Sequence, residues 1–376
     1  MAGPTLSDVA REAGVSLATA SRAINGSATR TVRADLHQRV LEAAERLRYT
    51  PDPSAQAMAR GRTTTVGLVV HDIADPYFSS LAAGVADAAE QEGLIVTLTS
   101  TQHRPDRETA FVELMDRQRA RVVVLGGGRL GDDDAALLAA LERYREGGGR
   151  VALVGQPLGT LPVVEVANRQ GAADLATALH GLGHRSFGVL AGPPGHRTAR
   201  DRVAGCTEAL AALGSPVDPR AVVPCAFTRD GGYAGMRALL DAGTPRPRVV
   251  LAVNDVMAVG AMAAARDAGL RVPDDVAVAG FDDIVTLRDV VPGLTTVRIP
   301  LVTLGRVALR LALGLPPGDD LPPGVTVAGP SATPGATGAG PSATPGATGT
   351  SGRDRGTDRV EVRGDVVLRD STRLPA

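Results

Sequence analysis

Tryptophan and lysine are absent from the 376 residues, cysteine occurs twice, and tyrosine and phenylalanine number four and five. Without lysine there is no Schiff-base nucleophile, and every strong base is arginine. With alanine, glycine and proline all plentiful, this reads as a bias of the coding DNA. Cys206 and Cys225 alone cannot build a disulfide framework or a zinc site, and they read as reduced thiols. No apolar run approaches the ~18 residues of a membrane span. The opening MAGPTLSDVAREAGVS carries two acids and no apolar centre, so no secretory signal is expected and the protein is read as cytoplasmic. Neither Gly-x-Ser-x-Gly nor His-Glu-x-x-His occurs, so no enzyme, metal or cofactor is expected.

What is present is a globular composition, 44% hydrophobic and 22% charged, at a length suited to about two to three domains. The formal charge of -1 hides an asymmetry. Residues 1–62 hold nine arginines against six acids, a net +3, which leaves -4 on the remaining 314. A basic head on an acidic body suggests a nucleic-acid contact at one end.

Residues 1–50 read as short helices. Thr5 and Asp8 form a capping-box start, Val9, Ala10 and Ala13 give an apolar face, and Gly14 breaks the helix. Ser16 can cap a second helix that runs to Asn25-Gly26. A third, over about 34–47, carries Leu36, Val40, Ala43 and Leu47 on one face. Helix, tight turn and helix make a helix-turn-helix, whose second helix can enter a major groove. Ser16, Thr19 and Ser21 would then reach phosphates or base edges, and Arg22 a guanine or a phosphate. An ordinary helical hairpin is the alternative.

Residues 64–328 alternate apolar strands with amphipathic helices, about ten units, so the fold class is α/β with two doubly wound parallel-sheet lobes. The expected division is an N-lobe at 64–161 and a C-lobe at 162–298, with crossovers near 162, 292 and 320. A linker occupies 51–63. AGPSATPGATG then occurs twice in tandem at 328–349, and 329–358 reads as an insertion too poor in apolar residues to fold. A strand signal returns at Val360–Leu368, within 359–376, and is assigned to the C-lobe.

Other signals fail on inspection. Gly126-Gly127-Gly128-Arg129-Leu130-Gly131 fits GxGxxG, but the next strand, Val151–Val154, is followed by Gly155-Gln156 and not by the acid that a ribose needs. It reads as a flexible strand-helix turn. His180 and His184 lie four apart, but glycines interrupt the helix and no third ligand is near. Asp132-Asp133-Asp134 reads as a solvated helix start.

Longer stretches carry a resemblance. TLSDVAREAGVSLATASRAING, YTPDPSAQAMARGRT, VGLVVHDIADPYF, GHRSFGVLAGPP, RVAGC, AVNDVMAVGAM, RVPDDVAVAGFDD, LTTVRIP and VVLRDST occur in that order. Together they resemble the lactose/galactose repressor family over nearly the whole chain apart from the repeat. The resemblance implies a DNA-binding headpiece, a hinge helix and a two-lobed core of periplasmic-binding-protein type that binds a small effector, a sugar or related metabolite, and dimerises. The expected function is a ligand-responsive repressor that binds a pseudo-palindromic operator as a dimer or tetramer. A transport protein for sugars is the rival class; the absent signal peptide and the added headpiece speak against it.

By position, the resemblance places the recognition helix from Ser16, with Leu17 and Ala18 at its discriminating positions, followed by Thr19, Ser21, Arg22 and Asn25. It places the hinge helix at 54–60 with Met58 as the minor-groove wedge. In the core it implies Tyr77, Phe78, His196, Arg202, Phe227, Asn254 and Asp282 as effector contacts. Arg202 would grip ligand oxygens with its fork, and Phe227 would stack on a ring. Ala167 and Ala226 stand where the family often has Asp, so two polar anchors of a standard hexose site are missing.

Overall fold

The structure is a computed structural model that describes residues 3–25, 32–50, 61–102, 104–131, 134–242, 246–318, 321–323, 325–328 and 359–374. Met58 and the expected hinge helix, residues 329–349 of the tandem repeat, and Asp132 and Asp133 lie outside the described residues.

The first three helices are α1 (Leu6–Glu12), α2 (Leu17–Asn25) and α3 (Ala34–Arg46). The capping box forms as the sequence predicts: the Thr5 hydroxyl accepts from the Asp8 amide at 3.3 Å and the Asp8 carboxylate accepts from the Thr5 amide at 2.9 Å. Gly14 turns the chain at φ +62°, a conformation that costs a residue without a Cβ little. Ser16 Oγ then accepts from the Thr19 amide at the start of α2. Val9, Ala10, Ala13, Ala20, Ala23, Val40 and Ala43 are buried together. Small residues at these positions let three short helices close around one core.

The α/β body begins with β1 (Thr65–Val70), α4 (Pro76–Gln91), β2 (Ile95–Ser100), α5 (Pro105–Arg117), β3 (Val122–Gly126), α6 (Ala135–Glu146), β4 (Arg150–Gly155) and β5 (Val163–Val166). It continues with α7 (Asn168–Gly181), β6 (Phe187–Leu190), α8 (Arg197–Ala212), β7 (Val222–Val223), α9 (Arg229–Asp241), β8 (Val249–Ala252), α10 (Asp255–Asp267) and β9 (Ala277–Ala279). The last elements are β10 (Thr296–Arg298), α11 (Leu301–Leu313), β11 (Val325–Ala328), β12 (Arg359–Val362) and β13 (Asp365–Val367).

One sheet has the order β11-β12-β5-β4-β3-β1-β2, and a second the order β7-β6-β8-β9. All pairings in the two are parallel except β11 with β12. β3 is buried along its whole length, as a parallel strand covered by helices on both faces must be.

Sheet membership corrects three sequence expectations. β5 belongs to the first lobe, so the chain leaves that lobe after Val166 and not near 162. The return expected near 292 is made at 299–300, where α11 packs on α4 and on β4 of the first lobe, and the crossover expected near 320 falls between α11 and β11, two elements of that same lobe. The strand signal at Val360–Leu368 is two strands. β12 lies parallel to β5 in the first lobe, and only β13 goes to the second, antiparallel to β10. The chain crosses a third time between them at Arg363-Gly364, where a Cβ on Gly364 would fall 2.6 Å from Val297 and Ile299. A run of valines looks alike in either sheet; the partner strand decides.

Candidate functional site

The exposed side of α2 presents Ser16, Leu17 and Ala18, with Leu17 52% exposed. Ser16 and Thr19 share a hydroxyl–hydroxyl bond of 2.8 Å, and Asn25 Nδ2 donates to Ser21 Oγ at 3.2 Å. Arg22 is half-buried one turn further along. Thus Leu17, Ala18, Thr19, Ser21, Arg22 and Asn25 lie on one short helix, with Ser16 immediately before it, and two buried alanines fasten that helix to its neighbours. The two leading apolar positions can offer only van der Waals contact, such as that with a thymine methyl.

The second site is a cleft of about 550 Å³ between the lobes. β-strand C-terminal ends and the helix starts that follow them supply its walls, as open α/β sheets require. Of the residues expected there, Tyr77, Phe78, His196, Arg202, Phe227 and Asp282 line it. Phe78 stands edge-on to Tyr77 at 5.1 Å, and His196 stacks on Phe227 at 4.6 Å with an 18° tilt. Aromatic faces on two sides suit a flat or ring-shaped ligand.

Arg202 is 4% exposed and tightly held. Nε donates to Asn168 Oδ1 (2.8 Å), Nη1 to the Val253 carbonyl (2.7 Å) and Nη2 to Asp282 Oδ1 (2.8 Å), while the guanidinium lies 3.8 Å over the Phe281 ring. It is the cross-brace of the second lobe as well as part of the cleft wall.

Asn254 does something other than the sequence expectation. It is 1% exposed, is absent from the cleft lining, and its Oδ1 accepts from the Met257 amide as the N-cap of α10. A strand-end Asn before a helix is well suited to either role. Here the backbone takes it.

The cleft also holds residues that motif reading passed over: His71, Asp72, Asp75 and Gln102 on the first lobe, and Thr198 and Asp230 on the second. The block HDIADPYF contained three of them, but polar loop residues carry no periodicity that would single them out. Asp75 caps α4 through the Tyr77 amide at 2.9 Å, and burial pushes its carboxyl above the ordinary value. Asn168, the residue after Ala167, is a partner of Arg202.

Burial raises two further carboxyls. Asp282 rises to about 7 because burial outweighs the pull of Arg202, and Asp255 to about 6 against hydrogen bonds from the Thr296 hydroxyl and the Ile284 amide. Asp282 also sits at φ +118°, which a non-glycine residue adopts only under constraint. Both groups bind a proton more tightly folded than unfolded. From the unfolded value near pH ~4 up to the folded ones, the folded chain therefore holds more protons, and stability falls as pH rises through that window. The exposed Asp8 and Asp218, lowered by the Thr5 amide and the Arg220 guanidinium, act only below it. A urea midpoint higher at about pH 5.5 than at about pH 8, with the difference reduced in Asp255→Asn, is the expected result. Equal midpoints would contradict it.

Among the described residues, no group of three His, Cys, Asp or Glu is placed to hold a metal, and no helix is long and apolar enough to cross a membrane. His184, offered by spacing as a ligand beside His180, lies within hydrogen-bond distance of the Thr372 carbonyl through Nε2.

A profile for bacterial regulatory proteins of the lacI family matches residues 5–52, and one for a periplasmic binding protein-like domain matches 176–337. The transcriptional regulator GalR of Escherichia coli K12 is 35% identical over 331 residues, 87% of this chain and 93% of that protein. The chain belongs to the lacI family of bacterial regulatory proteins. Among solved structures, the regulator CelR in complex with cellobiose matches with a TM-score of 0.65 at 28% identity, over 98% of this chain and 99% of that one. The lac repressor dimer bound to operator and the anti-inducer ONPF shares the fold, with a TM-score of 0.75 at 23% identity over 99% of each chain. This lacI-family chain is thus a DNA-binding transcriptional regulator with an effector-binding core, in a family of regulators and not of enzymes. Its headpiece is the unit α1–α3, and its core is the pair of lobes that enclose the cleft.

Proposed function

We propose that the protein is a cytoplasmic repressor that binds a pseudo-palindromic operator as a homodimer, or as a tetramer, and that a sugar or related metabolite in the cleft alters its operator affinity. The observation that carries this reading is the pairing of an exposed α2, led by Ser16, Leu17 and Ala18, with a cleft whose walls come from both lobes. A ligand touching both lobes favours one lobe arrangement, and by linkage it changes DNA affinity by the same coupling factor that DNA exerts on it. Tyr77, Phe78, His196 and Phe227 would contact the ring, and Asp282 and Asp230 its hydroxyls. The cellobiose in the CelR complex supports this class. Dimerisation would cover exposed Val285 and Val302 beside the groove that also holds Ser80 and Ile284.

Retardation of a labelled DNA fragment from upstream of the gene tests the reading. Arg22→Ala should weaken binding by about 1–3 kcal/mol if Arg22 contacts a base, and affinity should fall steeply with salt. Affinity indifferent to both would refute the assignment of α2. A panel of neutral sugars, screened by thermal shift with wild type and Phe227→Ala in parallel, tests the cleft.

A further inference from the structure

The triple glycine that fits no nucleotide site meets the other lobe. A Cβ on Gly128 would fall 2.4 Å from Thr198 Oγ1 and 2.6 Å from His196 Cε1, both on the second lobe. Because no side chain intervenes, the two backbones join: Gly131 N donates to the Gly195 carbonyl at 3.0 Å, and Arg197 N to the Arg129 carbonyl at 3.1 Å. Leu130 and His196 form an antiparallel bridge. The side chain of Gln156 on the first lobe reaches Thr198 Oγ1 at 3.3 Å and receives the Arg129 amide.

Charge closes the same joint. Asp134 is 8% exposed and accepts from Arg129 of its own lobe at 2.5 Å and from Arg197 of the other at 2.6 Å. Arg129 also pairs with buried Glu108 at 3.0 Å, and His71 faces that carboxylate at 3.6 Å. Within the first lobe, two carboxylates share one guanidinium. Among the described residues, Arg197, arriving from α8, brings the carboxylate–guanidinium cluster to two acids and two bases. Opening the lobes would strip that fourth charge and leave an excess negative charge in a largely buried place, which is costly.

We propose that Asp134 and Arg197, with the glycine turn at 126–131, form a clasp that holds the lobes closed in the ligand-free protein. Resting on the reading of the cleft as the effector site, this clasp sets how much of the protein is already in the closed arrangement. A ligand's apparent affinity scales with the fraction of protein in the arrangement that accepts it.

Amide exchange on the full ligand-free chain tests the clasp. Gly131 lies in the first lobe and its amide bond ends on the second, so its protection reports lobe contact and nothing else. Wild type should protect Gly131. Arg197→Gln and, separately, Asp134→Asn should each speed its exchange at least about tenfold while amides of β1 and β3 keep their rates. The two effects should not add, because both variants break one pair. Gly131 exchanging freely in wild type, or unchanged in both variants, would overturn the clasp. If Arg197 served only to start α8, protection would fall in the first turn of α8 and not at Gly131, and that too would overturn it. Operator affinity measured on the same variants separates the two readings. Faster exchange at Gly131 with unaltered operator affinity upholds the clasp and counts against coupling between the cleft and the headpiece.

Discussion

Arg202→Met is expected to destabilise the second lobe by about 3–5 kcal/mol, the cost of leaving one partner of a buried ion pair behind. Asp282 would lose the cation at 2.8 Å while remaining 4% exposed. Asn168 and the Val253 carbonyl would lose their donor as well. Part of the penalty is relieved by protonation, since the Asp282 carboxyl is already raised, so the loss should be smaller in mild acid than at neutral pH. Urea unfolding of the ligand-free protein measures it. The double variant Arg202→Met/Asp282→Leu should recover much of the loss, because it removes both charges together. A cost below about 1 kcal/mol would mean that Arg202 is a cleft side chain whose job is ligand contact alone. The sequence resemblance implied a residue that grips ligand oxygens. In the structure its fork is engaged by its own lobe, so any loss of effector response in Arg202 variants has to be separated from loss of the lobe.

Gly205→Ala should cost about 1–3 kcal/mol or more, even though alanine is the better helix former by ~1 kcal/mol. Gly205 lies in α8 where it crosses α7, and an added Cβ would stand 2.1 Å from the Arg169 carbonyl oxygen. That atom is backbone and no rotamer change can move it, so the helices must separate. Gly181, at the end of α7, offers the control: nothing lies within 4 Å of its Cβ position. Gly181→Ala should be neutral or slightly stabilising. Parallel denaturant titrations of the two variants check both expectations. Equal effects would show that the α7–α8 contact is soft.

Local features were legible in the sequence because their causes are local. The Thr5–Asp8 capping box, the Gly14 turn, the Ser16 cap and the small apolar residues of the headpiece act over a few positions, and each is found where the pattern placed it. The alternation of valine-rich strands with amphipathic helices likewise marked two parallel-sheet lobes. Six of the seven core residues named from the family pattern line one cleft.

The remainder depended on partners far away in the chain. Asn254 and Asn168 are the same residue type at similar strand-to-helix junctions, yet one caps a helix and the other braces Arg202. Only the position of α8 against α7 distinguishes them. Val163–Val166 and Val360–Val362 read as strands of either lobe until their neighbours in the sheet are known. The triple glycine read as slack in a turn, and its purpose appears only when the second lobe lies against it. The sequence by itself determined which segments are helix or strand and which face each must bury, since periodicity and capping are short-range. Tertiary structure alone decided which strands share a sheet and which buried charges meet, because those choices are made by contacts between residues 34 to 80 positions apart, as around Arg202.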